Sequence, residues 1–180
     1  FSNLKNQING DVLDDNFSLG LYSTDASIYQ IVPSAVVVPK YKDDISYTID
    51  FAKREGFSIL SRGGGTSQCG QTVNRSIVID NSKYLNKIKK LNINNKSCIV
   101  EPGIVLDQLN IKLKRHGLFF PVDVSTSSRA TIGGMAGNNS CGGRSIKYGM
   151  MRDNVTSINT FMSDGSESIF ANLKEKKHFK

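Results

Sequence analysis

At 180 residues with 38% hydrophobic side chains, the chain can bury a substantial core as one domain or two small lobes, which excludes a peptide or a disordered tail. A formal charge of +7 would suit a polyanion, yet the lysines are scattered among asparagines rather than gathered into a stripe, and the one dense basic run, residues 174–180, reads as a solvated chain end. Cys69, Cys98 and Cys141 lie far apart, with no C-x-x-C pair and only His116 and His178 as imidazoles, so no zinc site is expected. An odd thiol count without a secretory signal predicts reduced thiols in the cytoplasm, and strand-length apolar runs predict no membrane span. A first residue of Phe rather than Met predicts an excised or processed piece.

Residues 1–30 are polar and read as an irregular N-terminal arm ending before Pro33. A buried strand is predicted over residues 35–39, then a helix with Asp43 and Asp44 in its first turn, Ile45, Ile49 and Ala52 at helical spacing, and Gly56 as its stop. Two further buried strands, residues 57–60 and 77–79, flank a glycine-rich loop; strand, helix, strand, loop, strand predicts a small lobe with parallel pairing. From Leu85 the pattern changes to a hairpin through Ile88, Leu91 and Ile93 and back through residues 98–100. A helix is predicted through Ile104, Leu106, Leu109, Ile111 and Leu113, with Arg115 and His116 near its negative end and Gly117 as its stop. Extended chain over residues 118–121, a long polar tract, and a strand over 155–162 closed by a turn at Asp164-Gly165 complete the pattern.

Two tracts carry chemistry. Residues 61–71 read Ser-Arg-Gly-Gly-Gly-Thr-Ser-Gln-Cys-Gly-Gln, where successive residues without Cβ let main-chain N–H groups converge on an anion. Arg62 adds a cation, and Thr66 and Ser67 add hydroxyls. An ATP site is disfavoured because Gln71 stands where the phosphate-binding lysine belongs, and no G-x-G-x-x-G opens a helix for a nicotinamide. The bland alternative is an ordinary turn. The second tract, residues 121–143, is long, polar and studded with glycine; Gly133, Gly134 and Gly137 permit close approach to a flat ligand, and Asn138 and Asn139 offer donors and acceptors. Its bland alternative is a mobile surface loop. Two such tracts in one short chain favour a large nucleotide cofactor held from both sides.

The sequences Arg62-Gly-Gly-Gly-Thr-Ser67, Glu101-Pro-Gly103, Phe120-Pro-Val-Asp123, Ala130-Thr-Ile-Gly-Gly134, Asn138-Asn-Ser-Cys-Gly142 and Lys147-Tyr-Gly149, in that order, resemble the FAD-binding domain of the FAD-linked oxidases. This is the vanillyl-alcohol oxidase or PCMH group, in its branch of D-lactate dehydrogenases and glycolate oxidases. The resemblance covers residues 22–170; Ser67-Gln-Cys-Gly-Gln71, Asn81-Ser-Lys-Tyr-Leu85 and Val122-Asp-Val-Ser-Thr-Ser127 are similar to large bacterial members that fuse this domain to an iron–sulfur domain and act on D-lactate or D-2-hydroxyglutarate.

That resemblance implies an α+β, two-lobed PCMH-type fold, with a small parallel α/β lobe and a second, mostly antiparallel sheet lobe. The implied divisions are an arm over residues 1–30, a first lobe over 31–92 and an incomplete second lobe over 93–180, with cap and iron–sulfur domains absent. It implies FAD as cofactor, wrapped at its diphosphate by Arg62, Gly63, Gly64, Gly65, Thr66, Ser67 and Gln71. Pro121, Asp123, Ser125, Thr126 and Ser127 would lie along the ribityl and flavin side, and Thr131, Ile132, Gly133, Gly134, Asn138, Asn139 and Gly142 would contact the cofactor from the second lobe. Arg144, Lys147 and Tyr148 follow the same pattern, as contacts or as braces of the loop. Thr66 stands where covalently flavinylated relatives carry histidine, so the FAD is expected to be non-covalent. The implied reaction is oxidation of a D-2-hydroxy acid by hydride transfer to flavin N5, with electrons leaving to an iron–sulfur or quinone acceptor; the catalytic residues fall outside this chain. No nucleic-acid partner and no metal are expected, and the location is cytoplasmic or peripheral at the inner face of the membrane. The alternatives are a sugar, alcohol or alkyl-dihydroxyacetone-phosphate enzyme of the same fold, and a basic polyanion-binding module.

Overall fold

The N-terminal residues carry more structure than their polar composition predicts. In the computed structural model, which describes residues 1–171, they form α1 (Ser2–Lys5), β1 (Asp11–Leu13) and α2 (Asn16–Leu21) instead of an irregular arm. Sparse anchors are enough: Leu4 and Ile8 bury against Phe51, Ala52 and Ile77. β1 joins the sheet through its backbone, pairing antiparallel with β2 (Ala35–Val38) with Asp11 opposite Val38, and such a ladder leaves no mark on composition. The basic run at 174–180, with His178, lies outside the described residues.

β2 is buried along its whole length and leads into α3 (Lys42–Glu55), which starts on Asp43 and Asp44 and stops at Gly56 with φ of 76°. Asp44 is fully buried, and its carboxylate accepts hydrogen bonds from the backbone N–H groups of Asn9 (2.8 Å), Lys40 (2.8 Å) and Tyr41 (3.0 Å). It caps the helix and fastens the N-terminal segment to it. β3 (Ile59–Arg62) starts two residues later than the predicted strand, and β4 (Ile77–Asp80) inserts between it and β2, giving the order β1-β2-β4-β3 with parallel pairing of β4 on both sides. Only β2 and β4 are buried throughout. β3 is the edge strand, and its residues alternate between exposed and half-buried, with Ile59 at 37% exposure, contrary to the expected buried strand.

The sheet's other edge is fastened by an ion pair: Lys83 Nζ donates to Asp11 Oδ2 at 2.8 Å and the Tyr84 hydroxyl to the same oxygen at 3.1 Å. The Lys83 bond holds the Asp11 carboxyl below the usual range; partial burial opposes this and the Tyr84 bond assists it. A carboxyl depressed in the folded state stabilises fully above its unfolded value, near 3.9, and loses that contribution as pH falls through the folded value. Urea unfolding from pH 6 to pH 3 is therefore expected to show a smaller acid loss in Asp11→Asn than in the parent, by at most about 1 kcal/mol because the pair is solvent-exposed.

Past Asp80 the core changes. β5 (Ile88–Asn92) and β6 (Ser97–Val100) form the predicted antiparallel hairpin, with a bulge between Ile88 and Lys90, and Ile88, Leu91, Cys98 and Val100 all pack on a second buried cluster. That cluster is built on α4 (Leu106–Lys114), whose Leu106, Leu109 and Leu113 face inward. Ile104, counted in the predicted helix, is buried just ahead of it, whereas Ile111 is 64% exposed because it falls outside the stripe set by 106, 109 and 113. The tract expected as loop contains α5 (Ile132–Gly137), started by Thr131, whose Oγ1 accepts from Gly134 N, and two short helices follow, α6 (Ser145–Tyr148) and α7 (Met151–Asn154). β7 (Ser157–Phe161) and β8 (Glu167–Ala171) close through the predicted turn, with Gly165 at φ of 88°. Among the described residues, this half of the chain is antiparallel in two separate hairpins rather than in one sheet.

Candidate functional site

Beyond the end of β3, residues 63–67 leave the sheet with their amides unused: among the described residues, none of those five N–H groups has a hydrogen-bond partner. Consecutive free amides form an anion-binding concavity. The Thr66 hydroxyl is likewise free among the described residues, while Ser67 Oγ accepts from the N–H groups of Cys69 (3.2 Å) and Gln71 (3.3 Å) and shapes the return of the loop. Arg62 does not face this concavity. Its guanidinium turns to the back of the loop, donating to the carbonyls of Thr24 (2.8 Å), Thr72 (3.0 Å) and Tyr22 (3.3 Å), and lies 5.3 Å from the Tyr22 ring centroid. The Tyr22 hydroxyl donates to Asp80 Oδ2 at 2.7 Å, and burial together with that carboxylate pushes its pKa far above the ordinary phenol value.

The second tract meets the first through main chain. A Cβ on Gly63 would strike the Thr131 side chain, and one on Gly64 would strike the Arg129 carbonyl, so only glycine lets the two loops touch. On the far wall Asp123 Oδ1 accepts from Arg144 N at 2.9 Å, and Gly142 packs directly on the Asp123 carbonyl. Between the walls lies a cleft of about 590 Å³, within the usual span of small-ligand sites.

Of the residues singled out from sequence, Gly63, Gly64, Gly65, Thr66, Ser67, Gln71, Asp123, Ser125, Thr126, Thr131, Gly134, Asn138, Asn139 and Gly142 line this one cleft. Arg62, Pro121, Ser127, Ile132 and Gly133 do not. Ile132 is buried in the second core, Gly133 packs on Pro102, and Ser127 donates its N–H to the Val124 carbonyl in a local turn while its own carbonyl accepts from Asp107 N in the first turn of α4. The cleft also takes in Thr72, Val124, Ala130, Met135, Ser140, Cys141 and Gly143, which sequence reasoning passes over. Their sequence signal is position alone, Thr72 next to the first tract and the other six inside the second, since apolar Val124, Ala130 and Met135 carry no polar mark of a site.

Residues 33–169 match the FAD binding domain family. The chain belongs to that family. FAD is accordingly the cofactor, and the free amides and hydroxyl of the first loop are the donor set that a diphosphate dianion requires. The chain is 40% identical over 146 residues to a D-2-hydroxyglutarate dehydrogenase of Pantoea ananatis, covering 79% of this chain and 14% of that protein. It is 33% identical over 154 residues to glycolate oxidase subunit GlcD of Bacillus subtilis, covering 84% of this chain and 33% of that protein. The chain thus spans about a seventh to a third of the length of these relatives. Among solved structures, Physcomitrella patens BBE-like 1 variant D396N superposes with a TM-score of 0.83 at 21% identity, covering 97% of this chain and 38% of that one, which shows the two-lobed PCMH-type fold.

Proposed function

We propose that this FAD binding domain holds the cofactor of a dehydrogenase that oxidises a D-2-hydroxy acid of the D-2-hydroxyglutarate or D-lactate kind, with electrons passing on to an iron–sulfur or quinone acceptor. The observation that carries the reading is the run of free amides at 63–67 facing a cleft whose opposite wall is the 123–143 tract. In this reading residues 63–67 and Gln71 hold the diphosphate, and Asp123, Ser125, Thr126, Thr131, Gly134, Asn138, Asn139 and Gly142 line the path of the ribityl chain and ring. Arg62, Pro121, Ser127, Ile132 and Gly133 act from behind, as loop braces and core contacts. Bound FAD supplies a two-electron acceptor; the chain's own residues bind it, orient it and exclude water from it. The names of the relatives support the substrate class, since D-2-hydroxyglutarate dehydrogenase, glycolate oxidase subunit GlcD and a D-lactate dehydrogenase of Arabidopsis thaliana all carry 2-hydroxy acids in their names.

The test is a titration of the 180-residue chain with FAD, followed by absorbance: perturbed, saturable flavin bands are expected, and an unperturbed spectrum overturns the reading. Thr66 offers no nucleophilic imidazole and no histidine lines the cleft among the described residues, so acid precipitation is expected to release all of the flavin into the supernatant. In the whole protein, D-2-hydroxyglutarate or D-lactate is expected to bleach the flavin band under anaerobic conditions; bleaching by a sugar alone would point to another oxidase of this fold.

A further inference from the structure

The first glycine loop is held from outside the residues that match the family. Those begin at 33, yet the loop's outer side rests on residues 22–30. Ala26 N donates to the Gly65 carbonyl at 3.1 Å, the Arg62 guanidinium ties the carbonyls of Tyr22, Thr24 and Thr72 together, and the Tyr29 ring packs against Gly70. At the centre is Asp25, with each carboxylate oxygen engaged. Oδ1 accepts from Ser27 N at 2.8 Å, which folds the arm into a tight turn, and Oδ2 reaches across to the loop, accepting from Thr72 Oγ1 at 2.9 Å and Thr72 N at 3.3 Å.

Asp25 is the only acidic side chain bridging the arm to this loop among the described residues. Partial burial disfavours its charge, but the Ser27 and Thr72 bonds outweigh burial and hold its carboxyl below the ordinary range, so it is an anion at neutral pH. Thr72 is the last residue of the return leg that also carries Gln71, and the Arg62 bond to the Thr72 carbonyl leaves that residue fixed from both sides.

We propose that Asp25 is a positioning residue for the cofactor cleft: by fixing Thr72 it keeps the 63–72 loop in the conformation whose free amides face the diphosphate. This rests on the functional reading above. A loop that must be reordered at the moment of binding lowers apparent affinity by the fraction of molecules already competent. In Asp25→Asn one acceptor oxygen becomes a donor facing the Thr72 or Ser27 N–H, and the competent fraction drops.

The experiment measures FAD and ADP affinities, hydrogen exchange and apo melting for the parent, Asp25→Asn, Asp25→Glu and Thr72→Val. Asp25→Asn is expected to weaken FAD and ADP by the same factor, about tenfold, with faster exchange concentrated in residues 63–72 and apo melting lowered only slightly. Thr72→Val, which loses only the hydroxyl bond, is expected to weaken both about threefold and to add nothing in the Asp25→Asn background. Asp25→Glu, keeping both acceptor oxygens and the charge, is expected to recover most of the affinity. Asn and Val variants that bind FAD within twofold of the parent overturn the proposal while leaving the functional reading intact, as does a Glu variant as impaired as the Asn one. Should Asp25→Asn fail to fold, Thr72→Val alone decides by the same threshold. A parent chain that binds neither FAD nor ADP removes the functional reading and this proposal with it.

Discussion

Gly64→Ala is expected to weaken FAD binding by about a hundredfold or more, close to 3 kcal/mol. The added methyl cannot be absorbed by a side-chain rotation, because the atom it meets is the Arg129 carbonyl oxygen, part of a turn held by the bonds of Arg129 N and Ala130 N to the Thr126 carbonyl at 2.8 and 2.7 Å. Either the first loop backs away from the second, opening the cleft where the diphosphate would sit, or the 126–130 turn unravels. Gly137→Ala is the matched control: contrary to the expectation from sequence, Gly137 does not line the cleft, its new methyl meets nothing within 4 Å, and alanine suits a helix. Equilibrium titration with FAD, alongside melting of the apo forms, separates the cases. If Gly64→Ala and Gly137→Ala bind FAD alike, the contact between the loops has no part in holding the cofactor.

Asp44→Ala is expected to damage stability severely, lowering the unfolding free energy by about 3–5 kcal/mol, a fall in Tm of roughly 10 °C for a domain of this size. Three backbone donors, on Asn9, Lys40 and Tyr41, converge on this carboxylate with no solvent access, and alanine would leave all three unsatisfied. The residue also starts a helix turn through its carbonyl, which accepts the Thr48 hydroxyl at 2.6 Å. Asp43→Ala, one position earlier and exposed, is expected to change stability by no more than about 0.5 kcal/mol. Urea melts of the two variants provide the check, and equal losses would mean that the buried hydrogen bonds contribute no more than the first-turn charge.

What the sequence reveals and conceals follows from where each signal resides. Unbroken apolar runs such as residues 35–38 and 77–79, glycine stops such as Gly56, and turn pairs such as Asp164-Gly165 are local and legible. The two glycine tracts are legible as sites for the same reason, because a residue chosen for lacking a side chain stands out. Pairing is not local. β1 becomes a strand because β2 offers it an edge, and β3 is displaced by two residues and left half-exposed because β4 takes the central place. Direction is also hidden. Arg62 carries the charge expected of a phosphate ligand, but the carbonyls of Tyr22, Thr24 and Thr72 capture it from behind, and only the fold brings those oxygens together. Thr131, by contrast, is readable as a cleft residue, though not as the cap of a helix inside an apparent loop.

The seam where Gly63 and Gly64 rest on the Thr131 side chain and the Arg129 carbonyl has no room for a Cβ on either glycine, so its spacing is set by the bare main chain of the first loop. Drift among the exposed lysines and asparagines therefore leaves the grip on the invariant, nucleotide end of the cofactor untouched. A lineage built on this scaffold is free to explore new substrates at the opposite end without relearning how to hold its prosthetic group.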